Sequence, residues 1–143
     1  KADAVGLWAC HYLMDKGLIQ GLTPEALYVS YLVGALRTLR FGHAEAHGKG
    51  MALQLGLLMA DGAVTWDGKL MDVDLSVMRD AVARMAKVIL EAQGEGDKER
   101  ATSIVDQAIA QVPASLFEAL ENLTSVPVDV TPTWAVLDGL EKA

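Results

Sequence analysis

The chain has 143 residues, the length of one domain, and can bury about 68–70% of the surface that its unfolded form exposes. Twelve Lys and Arg against nineteen Asp and Glu leave a net charge of −7, which repels a phosphate backbone and argues against nucleic-acid binding. No run free of these four residue types exceeds eleven residues, short of the ~18 apolar residues that span a bilayer, so a soluble chain without a membrane partner is expected.

In chain order, residues 4–14 read as the middle of an apolar helix face with no N-cap ahead of them, and no charged leader or cleavage site precedes them. The chain is therefore expected to belong to something longer. A first helix, Ala4–Lys16, closes at Gly17, a residue suited to a left-handed cap. Thr23-Pro24-Glu25 then supplies an N-cap, a first-turn proline and a dipole-matching acid for a second helix to about Arg40, with Leu27, Tyr31, Gly34 and Leu36 as its core stripe and Arg37 and Arg40 complementing its C-terminal dipole. A third helix is expected over Ala44–Ala60; Gly42, Gly48, Gly50 and Gly56 weaken it and point to close approach by another backbone or a ligand. Val64-Thr65-Trp66, Asp67-Gly68 and Lys69–Val73 have the pattern of a short hairpin on a two-residue turn, which must lean on the helices to persist. Asp74 can cap the next helix, whose Leu75, Met78, Val82, Met85 and Ile89 recur at steps of three and four as ordinary core. Gln93–Asp97 interrupts it, a helix over Lys98–Val112 follows, and Pro113 separates that from a shorter one through Leu123. Val126–Val130 reads as extended. The expectation is a mainly α fold: a bundle of five to six helices with one short β-hairpin and an extended C-terminal segment, residues 1–143 forming a single helical domain.

Few residues offer chemistry. His43, Glu45 and His47 (HAEAH) place two imidazoles four apart, a separation that can grip zinc on a helix, but Glu45 stands two places after His43 rather than directly after it as in a zincin helix. The same H-x-E echoes zinc deaminases, which need a later cysteine pair that is missing here. Surface or core histidines are the plainer reading. Cys10, the single cysteine, excludes an intramolecular disulfide and multi-cysteine metal sites and fits a reducing, cytoplasmic setting. It reads as a buried structural thiol, because its neighbour His11 diverges from it by about 100° on a helix and cannot form a catalytic pair with it. Gly94-Glu95-Gly96 lacks the Lys and Ser or Thr of a phosphate loop and reads as a turn or cap, while Asp72 and Asp74 straddle a strand-to-helix junction that capping explains.

Three phrases, in order, carry a resemblance: Lys1-Ala2-Asp3 leading into VGLWACHYLMDKGLI, then LRFGHAEAHGKG at 39–50, then ILEAQGEGD at 89–97 with SVPVD at 125–129. Together they resemble the C-terminal part of the catalytic region of the dipeptidyl-peptidase III family of zinc metallopeptidases, especially its bacterial branch, some of whose relatives are fused to Nudix domains. The family holds zinc with two histidines of H-E-x-x-G-H and a glutamate of E-E-x-x-A-[DE]. The resemblance implies that Lys1-Ala2-Asp3 matches the last three positions of the second motif, with every zinc ligand upstream of Lys1 and none among these residues. It also implies that Asp3 is the acid that orients a zinc-bound histidine, a carboxylate accepting the distal imidazole N–H; a helix-start carboxylate is the alternative.

His47 is similar to the family's cleft-facing histidine, which binds substrate and stabilises the transition state as zinc-bound water attacks the peptide carbonyl. Bacterial relatives continue A-H-G-x-A-N where this chain has Gly50-Met51, which removes a polar substrate contact, and QGEGD stands for Q-G-D-G-D. The expected parent is a zinc exopeptidase that removes dipeptides from peptide N-termini, with zinc as cofactor in the parent and none in this chain, which alone would be inactive. Its fold pairs a helical lobe with a β-barrel lobe, to which Val126–Val130 could add a strand. Its partners would be a peptide substrate, the missing N-terminal part of the same protein and, through exposed apolar surface, other copies of itself. The alternative is a non-catalytic helical interaction module that kept only the scaffold.

Overall fold

The computed structural model describes residues 1–127 and 129. Among them, six helices and one hairpin follow in chain order: α1 (Ala2–Asp15), α2 (Pro24–Leu39), α3 (Ala46–Ala60), β1 (Val64–Trp66), β2 (Met71–Val73), α4 (Leu75–Glu95), α5 (Lys98–Ile109) and α6 (Ala114–Glu121). The fold is mainly α, and no described helix is long and apolar enough to cross a membrane.

Local chemistry sets most of the helix ends. At the end of α1, Gly17 adopts φ +69°; its N–H reaches the Met14 carbonyl at 2.9 Å, and the Leu18 N–H reaches that of Leu13 at 3.0 Å. Two carbonyls that the helix leaves unpaired are thereby satisfied. Thr23 Oγ1 accepts from the Ala26 N–H at 3.1 Å, with Pro24 opening α2. Asp74 and Asp97 cap α4 and α5 by accepting from the N–H groups of Ser76 and Arg100, each at 2.9 Å. The interruption expected from Gln93 onward shrinks to Gly96 and Asp97: α4 continues through Gly94 and stops where Gly96 turns left-handed at φ +67°.

α3 lies at the centre, its Ala52, Leu55 and Leu58 no more than 1% exposed. Met78, Val82 and Met85 of α4 pack into the same core, but Leu75, at the first position of α4, is exposed. The face of α2 differs by one residue from the expected stripe. Tyr28, Leu32, Ala35 and Leu39 are buried, Leu27, Tyr31 and Leu36 flank them half-buried, and Gly34 is exposed. The apolar arc of α2 is wide enough that spacing alone places its centre one residue off.

Two of the four glycines mark close backbone approach. A Cβ at Gly56 would lie 1.8 Å from the Ala108 carbonyl oxygen, where α5 crosses α3, and a Cβ at Gly48 would lie 1.9 Å from the Gly42 oxygen. Gly50 faces open space, and Gly42 makes the turn after α2 at φ +94°.

The hairpin pairs Val64 with Val73, Thr65 with Asp72 and Trp66 with Met71, antiparallel. Its connection is thus Asp67–Leu70, four residues rather than two. The Asp67 carboxylate accepts from the Lys69 and Leu70 N–H groups at 2.8 and 2.7 Å, so Lys69 and Leu70 are turn residues and not strand. The hairpin leans on the helices as expected: Ala63 and Val64 are buried, and Trp66 Nε1 donates to Ser115 Oγ of α6 at 3.1 Å.

Beyond α6 the chain returns to the end of α2. The Arg40 guanidinium donates to the carbonyls of Leu123 (2.6 Å), Val126 (2.7 Å) and Pro127 (3.4 Å), and Arg37 pairs with Asp129 at 2.8 Å. Val126, Pro127 and Asp129 lie in no ladder, while Val128 and Val130 of the expected extended segment lie outside the described residues.

Candidate functional site

Asp3 is the second residue of α1 and His47 the second of α3, and the fold brings them to one place. Both are exposed and line one open hollow of about 400 Å³, together with Lys1, Thr38, Met51 and Gln54. Residues forty-four apart in sequence and singled out from different phrases thus share a concave surface large enough for a small ligand.

A buried glutamine in its wall, with a half-buried tyrosine behind it, was missed by sequence reasoning. Gln54 is 3% exposed; its Nε2 donates to the Gly50 carbonyl at 3.0 Å and approaches Met51 Sδ at 3.6 Å, while its Oε1 accepts from the Tyr31 hydroxyl at 3.0 Å. Burial, reinforced by the Asp3 carboxylate, pushes the Tyr31 phenol well above its ordinary range, so it remains a donor. The only signal in sequence was a glutamine inside the apolar run 51–60, which demands a partner once buried.

His43 does not join the site. The turn at Gly42 and the seating of its carbonyl on Gly48 delay α3 until Ala46, so HAEAH is not helical throughout and its two imidazoles do not share a helix face. His43 instead packs its ring on Phe117 of α6, centroids 4.5 Å apart. Glu45 occupies the N-cap position of α3 in extended conformation, without a capping bond from its side chain. Among the described residues, no group of three or more His, Cys, Asp and Glu is placed to hold a metal.

A second cluster joins α1, α2 and α4. The Tyr28 hydroxyl lies 2.5 Å from His11 Nδ1, His11 Nε2 is 3.6 Å from Asp15, and Asp15 pairs with Arg79. Burial raises the Tyr28 phenol, an effect that Arg79 opposes and Asp15 assists. Cys10 is half-buried rather than buried, and His11 turns away from it toward Tyr28. Gly96 is a helix cap, as its sequence context indicated, but of the two acids at the strand-to-helix junction only Asp74 caps α4; Asp72 is an exposed strand residue opposite Thr65.

No protein-family model matches the chain. A curated Arabidopsis thaliana protein named Nudix hydrolase 3 is 42% identical over 98% of this chain and 18% of its own length. A solved structure of dipeptidyl-peptidase III from Corallococcus sp. strain EGB superposes with a TM-score of 0.82 at 36% identity, covering 99% of this chain and 26% of that one. A second, from Caldithrix abyssi, gives 0.84 at 28% identity over 97% of this chain and 27% of that one. The chain thus spans about a quarter or less of each protein it matches.

Proposed function

We propose that the chain, which superposes on two dipeptidyl-peptidase III structures, is part of a protein of that type and forms the helical part of the zinc-bearing lobe of an exopeptidase that removes dipeptides from peptide N-termini. The observation that carries this reading is the meeting of Asp3 and His47 on one hollow. An exposed imidazole there can donate a hydrogen bond to the oxyanion that develops as the scissile carbonyl is attacked. The Asp3 carboxylate, in the first turn of α1, can accept the N–H of a histidine brought by another part of the protein and so hold its ring in one orientation.

Zinc, when bound in this family, supplies a Lewis acid and an activated water. The motif H-E-x-x-G-H does not occur in the 143 residues, and we assign no zinc ligand and no general base to them. Alone, the chain is therefore inactive in this reading. Half-exposed Trp8 and Leu90, beside one shallow apolar hollow between α1 and α4, are where further chain or a second copy would pack. The plant relative's name speaks of Nudix hydrolysis; because the residues matching 18% of it also superpose on two dipeptidyl-peptidase III structures, we place this stretch with the peptidase chemistry.

One observation favours a second reading, a scaffold without catalysis. Met51 puts a thioether on the hollow where bacterial relatives carry an asparagine, and the Gln54 amide beside it is already engaged on both sides. Kinetics of the longer polypeptide on a dipeptidyl-naphthylamide separate the two. His47→Asn should lower kcat by about 10²–10³ at unchanged zinc content. Turnover within a few-fold of the parent would refute the catalytic role and support the scaffold.

A further inference from the structure

The hollow at Asp3 and His47 does not end at α3. Ala46, Gly50 and Leu53 also form one wall of a groove of about 410 Å³ between α3 and α5. The floor of this groove is apolar, from Leu53, Ala101 and Val105, and Lys49 and Lys98 stand at its N-terminal end. No carboxylate lines it; the α5 acids Glu99 and Asp106 line an adjoining hollow along that helix, which shares Lys98 and Thr102 with the groove. Neither lysine takes part in an ion pair among the described residues, although the chain carries a net charge of −7 and pairs Arg37, Arg79, Arg84, Lys87 and Arg100 with acids.

We propose that this groove binds the C-terminal end of a peptide, with the terminal carboxylate between Lys49 and Lys98 and the last side chain, an apolar one, on Leu53, Ala101 and Val105. Two unpaired ammonium groups over a carboxylate-free apolar floor complement one ligand chemistry, an anion joined to an apolar group. The wall shared with the hollow of Asp3 and His47 makes that anion the end of a peptide whose body crosses Gly50, where no side chain obstructs it. The proposal rests on the peptide-handling reading above and names the part of the substrate that this side of α3 receives.

The test needs neither zinc nor turnover, so its failure is distinct from failure of the peptidase reading. Acetyl-Ala-Ala-Ala-Leu with a free carboxylate, its C-terminal amide and hexanoate are titrated into the 143-residue chain at low salt, followed by backbone amide shifts. The free acid should bind about tenfold tighter than the amide, since two exposed charge pairs each contribute modestly, and should shift Leu53, Ala101 and Val105. A K49Q/K98Q double variant should bind acid and amide alike. Hexanoate matching the peptide acid would overturn the peptide assignment in favour of a simple apolar carboxylate. Equal binding of acid and amide by the parent chain, or an acid preference that survives the double variant, would overturn the site itself.

Discussion

Gly56→Ala isolates what the crossing of α3 and α5 requires. The new methyl carbon would sit 1.8 Å from the Ala108 carbonyl oxygen and 2.5 Å from its carbon, against about 3.5 Å for an ordinary contact, so the helices must part by roughly 1.5–2 Å. The obstacle is backbone, which cannot swing aside as a side chain does. In an unobstructed helix interior the same substitution gains about 1 kcal/mol. Overpacking costs about 1–3 kcal/mol and more where nothing relaxes, and parting the helices also loosens the packing around Leu55 and Leu58. A net loss of about 2–4 kcal/mol is expected. Gly34→Ala in α2, with nothing within 4 Å of the added methyl, is the control and should gain up to about 1 kcal/mol. With a urea dependence of about 2 kcal/mol per molar, the Gly56→Ala midpoint should fall by about 1–2 M while that of Gly34→Ala rises slightly. Equal midpoints for the two variants would refute the close crossing and the reason given for a glycine there.

Tyr31→Phe should cost about 1–3 kcal/mol near pH 8, because the Gln54 amide oxygen stays buried without its donor. The Tyr31 phenol is raised in the fold, so its contribution is complete below about pH 10, where the unfolded phenol titrates, and is lost as pH rises further; urea unfolding at pH 8 and 11 should show the gap between parent and variant narrowing, and a constant gap would count against the buried donor. The Asp67 carboxylate, held below its ordinary range by the N–H groups of Leu70 and Lys69, should titrate lower by carboxyl NMR than the Asp of an unstructured peptide, and the stability it adds should be lost as pH falls below about 4; an ordinary titration would refute the four-residue turn.

Signals that act within a turn of the chain were legible from sequence. Gly17, Thr23-Pro24 and Asp74 each satisfy backbone groups two to four residues away, so their roles follow from local stereochemistry. The hairpin loop was misjudged because Asp67-Gly68 also suits a longer turn once the Asp67 carboxylate holds two amides, and Leu70 reads as strand by hydropathy although it is 67% exposed. HAEAH resembled a helix face because nothing in those five residues announces that the Gly42 carbonyl will seat on Gly48 and delay the helix. Asp3 and His47 were reached through resemblance of separate phrases. The Tyr31–Gln54 pair needed the packing of α2 on α3, which neither segment states alone.

The contact of Gly56 with Ala108 has a mechanical side. α3 and α5 touch at their C-terminal ends and stand apart where Lys49 and Lys98 lie, so the crossing works as a fulcrum and the groove as the gap between two lever arms. From Ala108 to Lys98 an arm of ten residues is about 15 Å long, and a tilt of about 5° at the fulcrum moves its tip by about 1.3 Å. Aperture at the lysines is therefore set some distance from them, by the absence of one methyl group.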